Sequence, residues 1–429
     1  MTPAVPSALR NLVFSAFLAA NSLERLASSA LTVLLGFQVY ELTRNPLDLG
    51  WLGLAEAAPG IGLVLYGGHV ADRLPRRRIV LLGTTALALL AAALAAAAGS
   101  GHALPALFGA AVLTGAIGAF ADPALSGLEA HVVPVAGLLR GLAVLATTGR
   151  TAAMLGPALG GLAWAALGPA GTYAGLAVLF VGSAAVMAAG VPEAPVPEAT
   201  EGGAGVWRSI REGVAFDFRS EVLLGSMALD LFAVFFGGAT ALLPVFATDV
   251  LGAGPAGFGL LRSASAAGSL AAAAFATRLV PPRRAGLVLH GVIAGFGGAM
   301  VVFGLSRSLP LSVAALFLAG FCDGVSVVIR RAILRLASPE AMRGRIAAVH
   351  LVFLSSSNEL GAFESGVAAS LMGVPAAVWA GGLVTLGVVA VVTTGWLDQR
   401  RGGLDAERGG GRPAAGDLSA GELLAFGRR

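Results

Sequence analysis

Gly67-Gly68-His69-Val70-Ala71-Asp72-Arg73-Leu74-Pro75-Arg76-Arg77-Arg78 lies between two long apolar runs, and it decides how the rest of the chain is read. One acid and four arginines fall within residues 72–78, separated by three residues from a glycine pair. A short, strongly cationic turn between two apolar segments anchors topology, because arginines on a short loop hold that loop on the cytoplasmic side of a membrane. An acid does little for topology, so Asp72 needs another reason to be there. A gate is the role expected of it.

The composition around this turn agrees. Of 429 residues, 56% are hydrophobic and 12% are charged; a soluble domain carries about 25% charged residues. Mean hydropathy is +0.83, and no large soluble domain fits. All 28 basic side chains are Arg. The missing Lys excludes a phosphate-binding P-loop, which needs Gly-Lys-Ser/Thr. Work across the membrane would therefore draw on a gradient or a partner. Cys322 is the only cysteine, so neither an intrachain disulfide nor a Cys-rich metal site is expected. His69, His102, His131, His290 and His350 are scattered without ligand spacing, so neither metal nor cofactor is expected. The net charge of +4 reads as positive loops against an anionic leaflet, not as a nucleic-acid surface.

A membrane-crossing helix needs roughly 20 apolar residues. That ruler gives twelve spans, near 12–40, 47–70, 78–99, 104–127, 139–167, 171–191, 222–249, 256–278, 285–305, 309–329, 346–372 and 374–397. The first is too long for a signal-peptide core and is read as retained. One connection is long: residues 191–205 begin Pro-rich and end Gly-rich, a linker composition. Behind it Trp207, Ile210, Val214 and Phe218 recur at helical spacing between charges, as in an amphipathic helix on the cytoplasmic surface. The expected organisation is a six-helix bundle over 1–191, a linker with that helix over 192–221, a second six-helix bundle over 222–398, and a largely disordered tail over 399–429. With both termini cytoplasmic, the outer loops hold only Arg44 and Arg307, and all other loop and tail arginines are inside. The expected address is the plasma (inner) membrane, with one chain sufficient as a monomer.

The halves echo each other. Asp122 matches Asp323, Arg140-Gly141 matches Arg343-Gly344, and Gly156 and Gly161 match Gly361 and Gly366, at offsets of 201 to 205 residues. Parallel repeats of this kind place a transport site between the halves, near the bilayer midplane.

Twelve spans, a central loop and the turn after span two resemble the major facilitator superfamily. Its motif, Gly-x-Leu-Ala-Asp-Arg-x-Gly-Arg-Arg, is met here by Gly68-His69-Val70-Ala71-Asp72-Arg73-Leu74-Pro75-Arg76-Arg77, with Val70 for Leu and Pro75 for the second Gly. Leu42-Thr43-x-Asn45-Pro46, Ser338-Pro339-Glu340-x-x-Arg343-Gly344-Arg345 and Ser357-Asn358-Glu359-Leu360-Gly361-x-Phe363-Glu364-Ser365-Gly366 are similar to the enterobactin-exporter-like, transmembrane-secretion-effector branch. Gly156-Pro157-Ala158-Leu159-Gly160-Gly161 in span five is similar to the antiporter motif of drug exporters, with Ala143 and Ala152 where two further glycines are usual. Close packing of two spans is the plain alternative reading of that motif.

The resemblance implies an all-α membrane protein of twelve helices in two pseudo-symmetric bundles. It implies export of an amphipathic small molecule (siderophore, macrolide or drug-like) by alternating access, with proton antiport. It also implies a gate in which Asp72, with Gly68, Arg73, Arg76, Arg77, Arg78 and Asp122 around it, meets the amides at the start of span eleven near Gly344.

Ionisable groups in mid-membrane are costly, at about 2.5–3.5 kcal/mol each on insertion scales, and are kept for a partner or a pathway. Glu24, Arg25, Glu56, Asp122, Arg150, Asp230, Arg262, Asp323, Glu359 and Glu364, with Asn358, are the expected proton-coupling or substrate-lining groups. Glu24, Glu56 and Glu359 are the first choices for the proton. Asp122 has an alternative as a static partner of Arg73, and Asp323 as a partner of Arg330 or Arg331. Adjacent residues cannot point the same way on a helix, so Glu24 and Arg25 are expected to face different neighbours. A facilitator or importer on the same fold, and a non-transporting sensor or assembly protein, remain the other readings. An intramembrane enzyme is disfavoured, because the acids are spread over many spans without a nucleophile–base pair or a metal cluster.

Overall fold

The computed structural model describes residues 12–100, 102–133, 138–193, 239–279, 285–337, 357 and 360–408, and no strand occurs among them. The helices are α1 (Leu12–Thr43), α2 (Pro46–Arg73), α3 (Arg76–Ala97), α4 (Ala103–Val132), α5 (Leu138–Gly190), α6 (Gly254–Leu279), α7 (Ala285–Leu305), α8 (Leu309–Ala337), α9 (Leu360–Met372) and α10 (Val374–Arg408). A short distorted stretch, Thr240–Val250, precedes α6.

Nine of the described helices are long and apolar enough to cross a membrane. Within α5, Gly141–Gly190 runs for 50 residues, long enough for two crossings. It breaks at Gly168, where φ is 67°. Only glycine adopts that left-handed conformation without strain, and Pro169 behind it bars an α conformation at 168. The expected junction between spans five and six therefore falls where local chemistry forces it. Expected spans seven and eleven enter the described residues in part, with the short apolar helices Thr240–Val250 and Leu360–Met372. Asn45-Pro46 is a helix start: the Asn45 side chain accepts from the Leu47 amide, and Pro46 opens α2. α10 continues past the expected end of span twelve to Arg408. The amphipathic helix expected at Val206–Arg219 lies outside the described residues.

The chain divides into two compact units: Met1–Glu201 with Ala241–Ser263, and Gly202–Thr240 with Ala264–Arg429. In the first, α1 packs along α5, α2 along α4, and α3 against α4 and α5. Its core gathers Phe14 and Phe17 of α1, Ala71 of α2, Ile79 of α3, Leu125 and Leu128 of α4, and Met187 of α5. Glycines set the helix spacing. A Cβ on Gly67 would fall 2.0 Å from the Ala119 carbonyl, and one on Gly115 would fall 1.8 Å from the Glu56 carbonyl. Small residues at crossings are how helices associate where lipid removes the hydrophobic drive between them. In the second unit α7 packs against α8 and α10, over Leu289, Ile293, Val325, Ile329 and Val389. Large apolar side chains point outward, Leu82 at 71%, Leu89 at 68% and Val178 at 70% exposed, as a lipid-facing surface requires.

Candidate functional site

Asn21, Glu24, Arg25 and Ser28 recur at i, i+3, i+4 and i+7, which places them on one side of α1. Asp122 and Glu129 are seven apart, on one face of α4. The fold brings these faces together. Arg25 Nη2 lies 4.0 Å from Glu129 Oε1. Ser28 Oγ donates to Glu24 Oε1 at 2.6 Å. Arg25 and Asp122 both act electrostatically on Glu24, and Arg25 acts on Asp122. A Cβ on Gly149 of α5 would come within 3.2 Å of Arg25 Cδ, so the glycine leaves room for the side chain. Asn21 is 2% exposed, and its Oδ1 has no hydrogen-bond partner. Three carboxyl groups thus feel one guanidinium between α1 and α4, and the Arg25 side chain is 44% exposed. Arg25 balances one of them; the others are left for a proton, a cation or water.

The Glu24 carboxylate accepts from Ser28 on its own helix, and the Arg25 guanidinium lies toward Glu129 on α4. The alternative pairing of Asp122 with Arg73 is not seen among the described residues: no hydrogen bond or ion pair joins them, and Arg25 is the basic group acting on Asp122. The reason is depth. Arg76, at the turn, reaches the Gly127 carbonyl, and Asp122 lies five residues, about 7.5 Å, further along α4.

The cationic turn is a set of staples. Arg76 Nη1 donates to Gly127 O at 3.2 Å, and a Cβ on Gly127 would sit 2.5 Å from the Arg76 Cζ. Arg77 donates to the Ala188 carbonyl in the last turn of α5, where a cation suits the helix dipole. Arg78 grips Glu193 through Nε to Oε1 at 2.6 Å and Nη2 to Oε2 at 3.2 Å, the two-pronged geometry of a strong arginine–carboxylate pair. Arg73 is exposed and ends α2 with Asp72. The start of span eleven, the partner expected for Asp72, lies outside the described residues. The close backbone approach is made by Gly67; a Cβ on Gly68 would meet nothing within 4 Å.

The span-five motif packs in two directions. A Cβ on Gly156 would fall 2.5 Å from the Leu26 carbonyl, and one on Gly160 would meet Ala30 and Leu34 of α1. A Cβ on Gly161 would fall 2.4 Å from the Pro255 carbonyl, and one on Gly259 would fall 2.4 Å from the Pro157 carbonyl. Ser29 donates to Ala153 O at 2.7 Å and Ser263 to Met154 O at 2.8 Å.

At the other end of α1, the Tyr40 hydroxyl donates to Asp249 Oδ2, and Arg44 Nη1 lies 3.0 Å from Asp249 Oδ1. The Arg44 guanidinium also stands 5.8 Å from the Tyr40 ring centroid, within cation–π range. Nearby on the same helix, Phe37 stacks on Phe258 at 5.3 Å and meets Trp164 edge-on at 5.8 Å.

The remaining expected residues scatter. Glu56 on α2 and Arg262 on α6 are half-buried, and Arg150 on α5 is exposed. Asp323 lies in the second unit on α8, with Arg330 Nη2 3.9 Å from its Oδ1. Glu364 on α9 is half-buried, with Ser365 hydrogen-bonded to it. Asp230, Asn358 and Glu359 lie outside the described residues. Sequence reasoning missed Glu129, Tyr40 and Asp249. Ending span four at 127 hid Glu129, although it stands seven residues after Asp122 on the same face. No group of His, Cys, Asp or Glu among the described residues is arranged to hold a metal ion.

Comparison with known proteins gives the context. No curated protein matches the chain. A POT family transporter solved in complex with 5-aminolevulinic acid superimposes with a TM-score of 0.69 at 12% identity, covering 89% of this chain and 95% of that one. A bacterial homolog of the human lysosomal transporter Spinster, inward-facing and unoccupied, superimposes with a TM-score of 0.64 at 13% identity, covering 91% and 96%. At such identity these likenesses speak for the fold alone. The family profile of the Major Facilitator Superfamily matches residues 17–362, which is most of the chain. The protein is a multi-pass membrane transporter for small molecules and belongs to the Major Facilitator Superfamily.

Proposed function

We propose that this transporter exports amphipathic small molecules in exchange for protons. The observation that carries the reading is the charge cluster between α1 and α4, where Arg25 pairs with Glu129 and acts on Glu24 and Asp122. A carboxylate that takes up a proton lets go of its guanidinium, so proton binding there rearranges α1 against α4. An apolar bundle keeps such charge only for a pathway or a partner. The likeness of three sequence motifs to the enterobactin-exporter-like branch supports export, and the arginine count supports a plasma-membrane carrier with cytoplasmic termini.

Two latches are assigned to the change of shape. Tyr40, Arg44 and Asp249 form the extracytoplasmic latch, because Arg44 stands in the first outer loop of that topology. The cytoplasmic latch is assigned to Asp72, as the motif's resemblance implies. The span-five glycines support both the packing and the direction of transport. Loss of Asp72 as Asp72→Asn keeps expression and topology and lowers the transport rate; a wild-type rate would remove Asp72 from the gate.

The test is uptake of labelled siderophores, macrolides and lipophilic cations into inside-out membrane vesicles with an acid interior. Accumulation that a protonophore abolishes supports proton-driven export. Equilibration without accumulation means a facilitator. No movement of any compound, with the fold intact, removes the exporter reading.

A further inference from the structure

Asp323, Ser326 and Arg330 lie at i, i+3 and i+7 on one side of α8. With Cys322 they form one wall of a cavity of about 20 Å³, and Val292, Ile293 and Phe296 of α7 form the other. A water needs about 10–15 Å³ of such space and at least two polar partners. The partners are present. Ser326 is 3% exposed, and its Oγ has no hydrogen-bond partner. The Arg330 side chain is 5% exposed, whereas that of Asp323 is 45% exposed. Their closest atoms are 3.9 Å apart, too long for a direct hydrogen bond and open to a bridging water.

We propose that this cavity is a water site, in which one water bridges Ser326, Arg330 and Asp323 and carries protons to and from Asp323. The other titratable groups nearby are the Cys322 thiol on α8 and His290, one turn before Ile293 on α7. The repeat adds weight. Glu129 stands to Arg330 at the same 201-residue offset as Asp122 to Asp323. The first unit thus has acids at both positions and borrows Arg25, whereas the second carries its own counter-charge at one of them. The water site stands by itself; the proton-carrying role rests on the antiport reading above.

Cys322 is the chain's only cysteine, so the S–H stretch in an infrared spectrum belongs to it alone. Purified protein is transferred to D2O, and conversion of S–H to S–D is followed. A wet cavity gives fast exchange in the wild type. Ser326→Val fills the cavity and slows exchange about tenfold, as expected when only local opening then admits water. Ser326→Ala, which removes the hydroxyl without adding volume, shifts the S–H band and guards against a folding artefact. Slow exchange in the wild type, or exchange that Ser326→Val leaves unchanged, overturns the water site. In proteoliposomes Asp323→Asn should lose substrate-driven proton flux while keeping fast S–D exchange. Unchanged flux overturns the proton-carrying role. Flux absent from the wild type as well means that antiport itself fails, and the relay with it, while the exchange data still decide the water site.

Discussion

Removing the Asp249 carboxylate should loosen the contact between α1 and the stretch that precedes α6. Asp249→Ala deletes two interactions at once. The Arg44–Asp249 pair spans 3.0 Å, but its side chains are 57% and 44% exposed. Such a pair is worth about 0.2–1 kcal/mol, because solvent screens it. The Tyr40 hydroxyl bond to the same carboxylate adds about 1 kcal/mol, the value of an ordinary hydrogen bond and below that of a buried charged one, because this acceptor is half-exposed. The sum, about 1–2 kcal/mol, changes an equilibrium by a factor of about 5–30. The readout is a cysteine at Phe258, which is 3% exposed, in a Cys322→Ser background. A membrane-impermeant maleimide added outside intact cells should label Phe258→Cys about 5–30 times faster when Asp249→Ala is present, if labelling follows latch opening. Glu41→Cys, on an exposed position of the same helix end, serves as the control and should label at one rate in both backgrounds. Equal labelling of Phe258→Cys with and without Asp249→Ala would refute the latch.

Gly67→Leu and Gly68→Leu should differ sharply. The first drives a side chain into the Ala119 backbone, and the second enters open space. Folded yield measured by size-exclusion chromatography should collapse for Gly67→Leu and hold for Gly68→Leu. For the charge cluster, Glu129→Gln should lower the melting temperature by no more than about two degrees, because a 4.0 Å pair with side chains 44% and 26% exposed contributes little to stability. Its effect should appear in proton-coupled transport. A large loss of melting temperature with unchanged transport would make the pair structural.

Much of the fold was legible because bilayers impose simple rules. Runs of about 20 apolar residues, the Asn45-Pro46 helix start and the Gly168-Pro169 break each act locally, so each can be read from neighbouring residues. The site was harder. Glu24 and Arg25 stood out as mid-membrane charges, but their partners depend on helix crossings set by Gly115, Gly149 and Gly156 far along the chain. Arg73 stood as an alternative partner for Asp122 because both lie toward the cytoplasmic end, whereas Arg25 of α1 is the basic group that acts on it. Asp249 was invisible because an acid at the end of an apolar run looks like a loop residue until Tyr40 and Arg44 are seen beside it. Gly67 and Gly68 are adjacent and alike in sequence, and only the α2–α4 crossing distinguishes them.

The most direct test measures proton and substrate fluxes together in proteoliposomes, with a pH-sensitive dye inside and labelled substrate outside. The proteins are wild type, Glu24→Gln, Asp122→Asn and Glu129→Gln. Coupled fluxes in the wild type, with at least one of these variants moving substrate without protons, are the predicted result and identify the α1–α4 charge cluster as a coupling site. Coupling that survives in all three variants would contradict it.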